Sequence, residues 1–196
     1  MQQQSKTAEH SYLQKIRARL RGFFDFEPVP DPIAGVVQSW AHFVQTDEKY
    51  FLSRKMNLYT VNAHRFVGVG LYRAVTPETV ERAFADLKNW ARRQGPAEQT
   101  MSIEYTAALV SEEPVAPEAV ELLARMKSQI GFALGLKGWA DIAIIVVDLA
   151  NERVWANPYG RAQLQTVLWS FDDKPVVPAK KSWISKIPVF RCSCTG

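Results

Sequence analysis

The sequence predicts an α+β domain, with one mixed or mostly antiparallel sheet of about five strands packed by helices. Three observations carry this prediction. Ile142 to Val147 is an unbroken apolar run of strand length, as a strand covered on both faces requires. Arg54 to Arg73 and Thr100 to Val110 alternate apolar and polar residues, the period of half-buried strands. Pro77-Glu78 and Pro117-Glu118 each open a segment with apolar residues at helical spacing, so helices and strands interleave along the chain.

Residues 1–9 are polar and expected to be disordered. From His10 to Arg21, Tyr12, Ile16 and Leu20 recur every fourth residue among Lys15, Arg17, Arg19 and Arg21. That is an amphipathic helix, and Gly22 ends it. A connector rich in Phe and Pro follows. Val36, Val37, Trp40 and Phe43 then predict a second helix over Ile33 to Val44. Arg54–Val61 and His64–Arg73 read as the two arms of a hairpin turned at Asn62-Ala63, although that pair lacks the glycine tight turns favour.

Thr76-Pro77-Glu78 supplies a cap hydroxyl, a first-turn proline and an acid at the positive end of the helix dipole. The helix it opens carries Val80, Phe84 and Leu87 inward and closes at Gly95-Pro96. Thr100 to Val110 is a strand, and a helix runs from Pro117 to about Gly131. Asp141 to Asp148 is the central strand, Arg153 to Ala156 its short return, and Arg161 to Trp169 a short helix. Residues 10–170 form one domain on this reading, and residues 171–196, basic and proline-containing, an extended tail.

At 47% hydrophobic and 22% charged residues the composition is globular, which argues against a disordered chain. No apolar run approaches the roughly 18 to 20 residues of a membrane span. The polar N-terminus reads as lacking a secretory signal, so a cytoplasmic location is expected. Cys192 and Cys194 are separated by Ser193 alone; a bridge between them would be strained, and they lack the further ligands of a closed zinc site. No metal ligand set and no cofactor motif is found, so neither is expected. The net charge of +4 is compatible with a nucleic-acid partner without demanding one.

Four groups of residues are candidate sites, and each has a structural alternative. Lys55, Asn57, Tyr59, Phe66 and Tyr72 share one hairpin face, where aromatic rings could stack nucleic-acid bases. The alternative is that the aromatic segment Phe23 to Phe51 covers that face, with Gly68 and Gly70 marking close approach to bare backbone. Arg54 and Lys55 could meet an anion or lie in a solvated connector. Lys137 and Trp139, in Gly135 to Asp141, make a binding loop or a chain reversal with a core plug. Glu104, Asp141 and Asp148 could serve a metal-dependent hydrolase. However, Asp141 and Asp148 are seven residues apart, which puts them on opposite faces and opposite ends of one strand.

The motifs Tyr50-Phe51-Leu52-Ser53-Arg54-Lys55, Gly135-Leu136-Lys137-Gly138-Trp139-Ala140-Asp141 and Val147-Asp148-Leu149 resemble a bacterial and archaeal domain family of unknown function, over roughly residues 35–162. The resemblance implies a prokaryotic intracellular domain and no particular activity. With no catalytic signature in the chain, the leading expectation is a non-enzymatic binding module for an anionic partner such as nucleic acid. A carboxylate-based hydrolase and a self-associating structural domain are the alternatives.

Overall fold

The computed structural model describes residues 12–50, 57–95, 100–133 and 137–163, with backbone alone at 46–50, 57–61 and 162–163. In chain order its elements are α1 (residues 12–20), β1 (Asp25–Glu27), β2 (Ser39–Tyr50), β3 (Asn57–Tyr72), α2 (Pro77–Gln94), β4 (Thr100–Ser111), α3 (Pro117–Arg125), β5 (Gln129–Gly131), β6 (Trp139–Asp148) and β7 (Arg153–Ala156). The seven strands form one mixed sheet in the order β1-β2-β3-β4-β6, with β5 and β7 both pairing along the far edge of β6. The fold is α+β, with two three-residue strands beyond the main ones.

The connections fix the layers. β3, β4 and β6 are parallel neighbours joined through α2 and α3. Crossovers of this kind are right-handed, and two that step the same way across a sheet place both helices on one face. Val80, Leu87 and Trp90 of α2 and Leu123 of α3 accordingly share a core with Trp40, Tyr105, Leu109, Ile142, Ile144 and Val146. The opposite face would stay bare without another element, and α1 covers it. Tyr12, Ile16 and Leu20, all buried, pack on Val69, Ala108, Val110, Ile145 and Val147.

Three expectations are corrected. Residues Ile33 to Val44 are not a helix: a 3-10 turn at Asp31–Ile33 leads into β2. The spacing of Val36, Val37 and Trp40 arises because this segment folds over β3, where Val37 and Trp40 fill the space above Gly68. A Cβ at Gly70 would collide with the Val36 carbonyl oxygen, so the two glycines do mark a close approach of backbone. Asn62-Ala63 is not a turn. β3 runs straight through it and pairs with β2, and the irregularity there is a register shift against β4. The helix opened by Pro117 stops at Arg125, and Gln129 to Gly131 pair with β6 instead.

β6 is buried from Ile142 to Asp148, so every backbone group on its edges needs a partner within the protein. β4 pairs along its whole length on one side. On the other, β5 covers residues 139–141 and β7 covers 145–148, which leaves a gap. Asn157, fully buried, closes it. Its amide donates to the Ile142 carbonyl at 2.9 Å, and its Oδ1 accepts from the N–H of Ile144 at 3.1 Å and of Gly160 at 3.0 Å. The Asn157 N–H bonds the Ile144 carbonyl, and the Ile142 N–H donates to Ser128.

The disorder expected at residues 1–9, the extended tail expected at 171–196, and Cys192 and Cys194 fall outside the described residues. So does most of the helix expected at Arg161 to Trp169, of which Gly160–Gln163 form a 3-10 turn.

Replacing Asn157 with Ala strands buried donors and an acceptor on β6. Since each such group costs about 1–3 kcal/mol, Asn157→Ala should lose about 3 kcal/mol or more in urea denaturation. A loss no larger than a surface substitution's would show that the gap closes by other means.

Candidate functional site

Polar side chains concentrate at the amino end of the parallel strands, on both faces of the sheet. On the α1 side, the register lines up Arg65, Glu104, Asp141 and Gln129 across four strands. The Arg65 guanidinium lies 3.6 Å from Glu104, and the Gln129 amide donates to Asp141 at 2.9 Å. Burial pushes Glu104 up to about 6; Arg65 opposes that shift and the neighbouring Asp141 adds to it. Its Oε1 is buried without a hydrogen-bond partner. Asp141 is likewise raised by burial, against hydrogen bonds from Gln129 and Trp139. Two carboxyl groups side by side, both pushed toward neutrality, make a pair able to hold a proton near neutral pH.

Asp148 takes no part in this row. It closes the opposite end of β6, paired with Ser111. There it accepts from the Val115 N–H at 3.0 Å and from the backbone and side chain of Asn151 at 2.9 Å each. Burial pushes it up, but those hydrogen bonds outweigh burial and hold it below the usual carboxylate range. It is a structural cap. Among the described residues no group of three or more His, Cys, Asp or Glu could hold a metal ion.

On the α2 side, aromatic rings form a ladder across the strands. His42 stacks on Phe66 with centroids 4.1 Å apart, Phe66 on Tyr105 at 5.1 Å, and Trp90 of α2 meets Tyr105 edge-on at 5.0 Å. Beyond the ladder runs a hydrogen-bonded chain: Glu27 Oε1 lies 3.1 Å from His42 Nδ1, and His42 Nε2 lies 3.0 Å from His64 Nδ1. Because a carboxylate at Nδ1 makes that nitrogen the donor, His42 presents Nε2 as an acceptor and His64 Nδ1 carries the shared proton. Burial, and then the neighbouring His42, hold His64 below the ordinary imidazole value.

The residues singled out from sequence do not assemble into one site. Arg54 and Lys55 lie outside the described residues, as does the side chain of Tyr59. Phe66 stands between His42 and Tyr105, so both faces of its ring are taken. Tyr72 donates its hydroxyl to the Val36 carbonyl at 2.6 Å and lines a hollow of about 180 Å³ with Gly35, Thr79 and Arg82. Lys137 is exposed and Trp139 half-buried. Between them Gly138 adopts φ +88°, where a Cβ would strike the Met101 carbonyl oxygen. Glycine is therefore required for the turn into β6. Glu104 and Asp141 do come together. His42, His64, Arg65 and Gln129 were not singled out; alternation of Trp40, His42 and Val44 was the one local signal for the histidine chain.

The Glu104 shift predicts a pH dependence. A carboxyl raised from 4.5 to about 6 adds stability below its unfolded value and loses it as pH rises through the folded one. The difference amounts to about 2 kcal/mol. Relative to Glu104→Gln, the natural protein should therefore lose about that much between roughly pH 4.5 and 7. Parallel stability profiles of the two proteins would contradict a perturbed Glu104.

No curated protein and no solved structure matches the chain. Residues 8–167 match the family described as Domain of unknown function (DUF8052). That span is wider than the resemblance implied: it takes in α1, the helix that covers the second face of the sheet, and every strand. The chain belongs to this family of domains of unknown function.

Proposed function

We propose that the chain is a non-catalytic binding module for a polyanion, nucleic acid above all, held through backbone phosphates rather than stacked bases. The observation that carries this reading is α1. Residues 12–21 contain Lys15, Arg17, Arg19 and Arg21 and no acid. The apolar stripe of the helix is spent on the sheet, where Tyr12, Ile16 and Leu20 are buried, so Arg17 and Arg21 are turned to solvent. A cationic helix surface on a chain of net charge +4 suits phosphate contacts, which are sequence-independent and screened by salt. Base stacking is disfavoured because the ring faces of Phe66 are already in contact. In a prokaryotic cell such a partner is met in the cytoplasm.

Fluorescence anisotropy with mixed-sequence oligonucleotides tests the reading. Binding should be present at 50 mM salt, should weaken steeply by 200 mM, and should fall about tenfold or more in Arg17→Glu/Arg21→Glu, with a salt slope reduced by about two. Absent or salt-insensitive binding would overturn it.

A second reading rests on Glu104 and Asp141. Two carboxylates on adjacent strands can hold Mg²⁺ with waters completing its shell, which would make the row a hydrolase site. Mg²⁺-dependent cleavage of phosphodiesters, lost in Glu104→Gln, would favour it over the non-catalytic reading.

A further inference from the structure

We propose that His42 and His64 form an acid-released latch between β2 and β3, at the root of a two-stranded ribbon: one shared proton ties the rings together, and charging both rings drives them apart. The device is independent of the cationic helix and of the carboxylate row. Three observations carry it.

The first is the geometry of the pair. His42 Nε2 and His64 Nδ1 are 3.0 Å apart, with ring planes 14° apart and centroids separated by 5.2 Å. Rings set end to end in this way have one gap between them, and it holds one proton. Glu27 Oε1, 3.1 Å from His42 Nδ1, completes the chain. One added proton leaves that chain whole, because on either ring it still lets each facing pair of atoms be one donor and one acceptor. With both rings charged, the two facing nitrogens both carry hydrogen. The hydrogen bond is then lost, and like charges confront one another in its place.

The second is the surroundings, which decide what moves and at which end of the pH scale. His42 is held by Glu27 and by its stacking on Phe66 at 4.1 Å, whereas the His64 ring lies 6.4 Å from Phe66. His64, half-buried, is therefore the ring that turns out to solvent. β1 brings Glu27 and, opposite His42, Asp25. β4 brings Ile103 and Tyr105, whose hydroxyl burial pushes up to about 12, and α2 meets the ladder through Trp90. Burial, and then His42, hold His64 below the ordinary imidazole value of 6.5. The folded chain thus takes up this proton less readily than the unfolded one. The latch contributes fully above that ordinary value and is lost as pH falls through the lower, folded one.

The third is placement. β2 and β3 pair from Ser39↔Val69 to Tyr50↔Asn57. β1 flanks β2 only at residues 40–42, and β4 reaches β3 only from Asn62 onward. Among the described residues, the pairs from Asp47↔Val61 to Tyr50↔Asn57 therefore have no flanking strand. Two strands alone are marginally stable in water, so the ties at the sheet margin govern how easily this ribbon opens. The pair Val44↔His64 stands two residues inside that margin.

Amide exchange followed by NMR in the natural protein, His64→Gln and Glu27→Gln tests the latch. Protection factors, which exclude the intrinsic pH dependence of exchange, are compared at the hydrogen-bonded amides of residues 43–50 and 57–64. They should fall about tenfold or more between roughly pH 7.5 and 5 in the natural protein and stay level in His64→Gln. Glu104 cannot cause that fall, since its raised value removes stability as pH rises. Glu27→Gln removes the charge that favours an imidazolium at His42, so opening should shift to lower pH. Protection that is level in the natural protein, that falls equally in His64→Gln, or whose midpoint Glu27→Gln leaves unmoved would overturn the proposal. A second measurement needs no variant. In ¹⁵N-resolved spectra of the natural protein the two rings should titrate in two coupled steps, with the hydrogen bond between them lost in the second. Independent titration of the two rings would overturn it equally.

Discussion

The constraint on which the rest of the structure depends is the burial of β6. Its residues from Ile142 to Val147 are apolar throughout and wholly buried. A strand of that kind must be covered on two faces and paired on two edges, because no backbone donor or acceptor on it can reach water. The four demands are met by different parts of the chain. α2 and α3 cover one face because right-handed crossovers place them there. α1 covers the other. β4 satisfies one edge, and β5, Asn157 and β7 divide the second between them. Asn157, a fully buried polar residue, acts as a short substitute strand.

That arrangement also determines where chemistry can occur. At the carboxyl end of the parallel strands, the polar groups are occupied with holding the chain: Asp148 caps the turn after β6, and Ser111 accepts from the Val75 N–H and donates to the Glu113 carbonyl. The amino end is different. α1 packs over the carboxyl half of its face, and the ladder of Phe66 and Tyr105 beneath Trp90 gives way to half-buried histidines. There the sheet carries Arg65, Glu104 and Asp141 on one side and Glu27, His42 and His64 on the other. Glu104, Asp141 and His64 are partly buried, close to other polar groups and shifted from their usual ionisation, and such groups are the conventional starting material of binding sites.

The parts of this fold legible in the sequence are those where local pattern and tertiary demand coincide. β6 announced itself by an apolar run, α2 by Thr76-Pro77-Glu78, and β7 by its spacing from Asp148. The Thr76 hydroxyl does accept from the Thr79 N–H. β2 was not legible, because Val36, Val37, Trp40 and Phe43 mimic a helical stripe while in fact crossing from a 3-10 turn into a strand. β3 was read as two arms because its pairing partner lies upstream rather than within it. The same non-local pairing hid the sites. Glu27, His42 and His64 meet across separations of 15 and 22 residues, and Glu104 meets Asp141 only because β4 and β6 are parallel and in register. Residue chemistry flagged the two acids but could not place them together.

Native-state hydrogen exchange across the sheet tests this account most directly. If β6 is the element everything else encloses, the amides of Ile142 to Val147 should be the slowest in the protein and should exchange only through global unfolding, while those of β1, at the opposite margin, exchange by local opening. Amides of β6 exchanging as fast as those of β1 would contradict it.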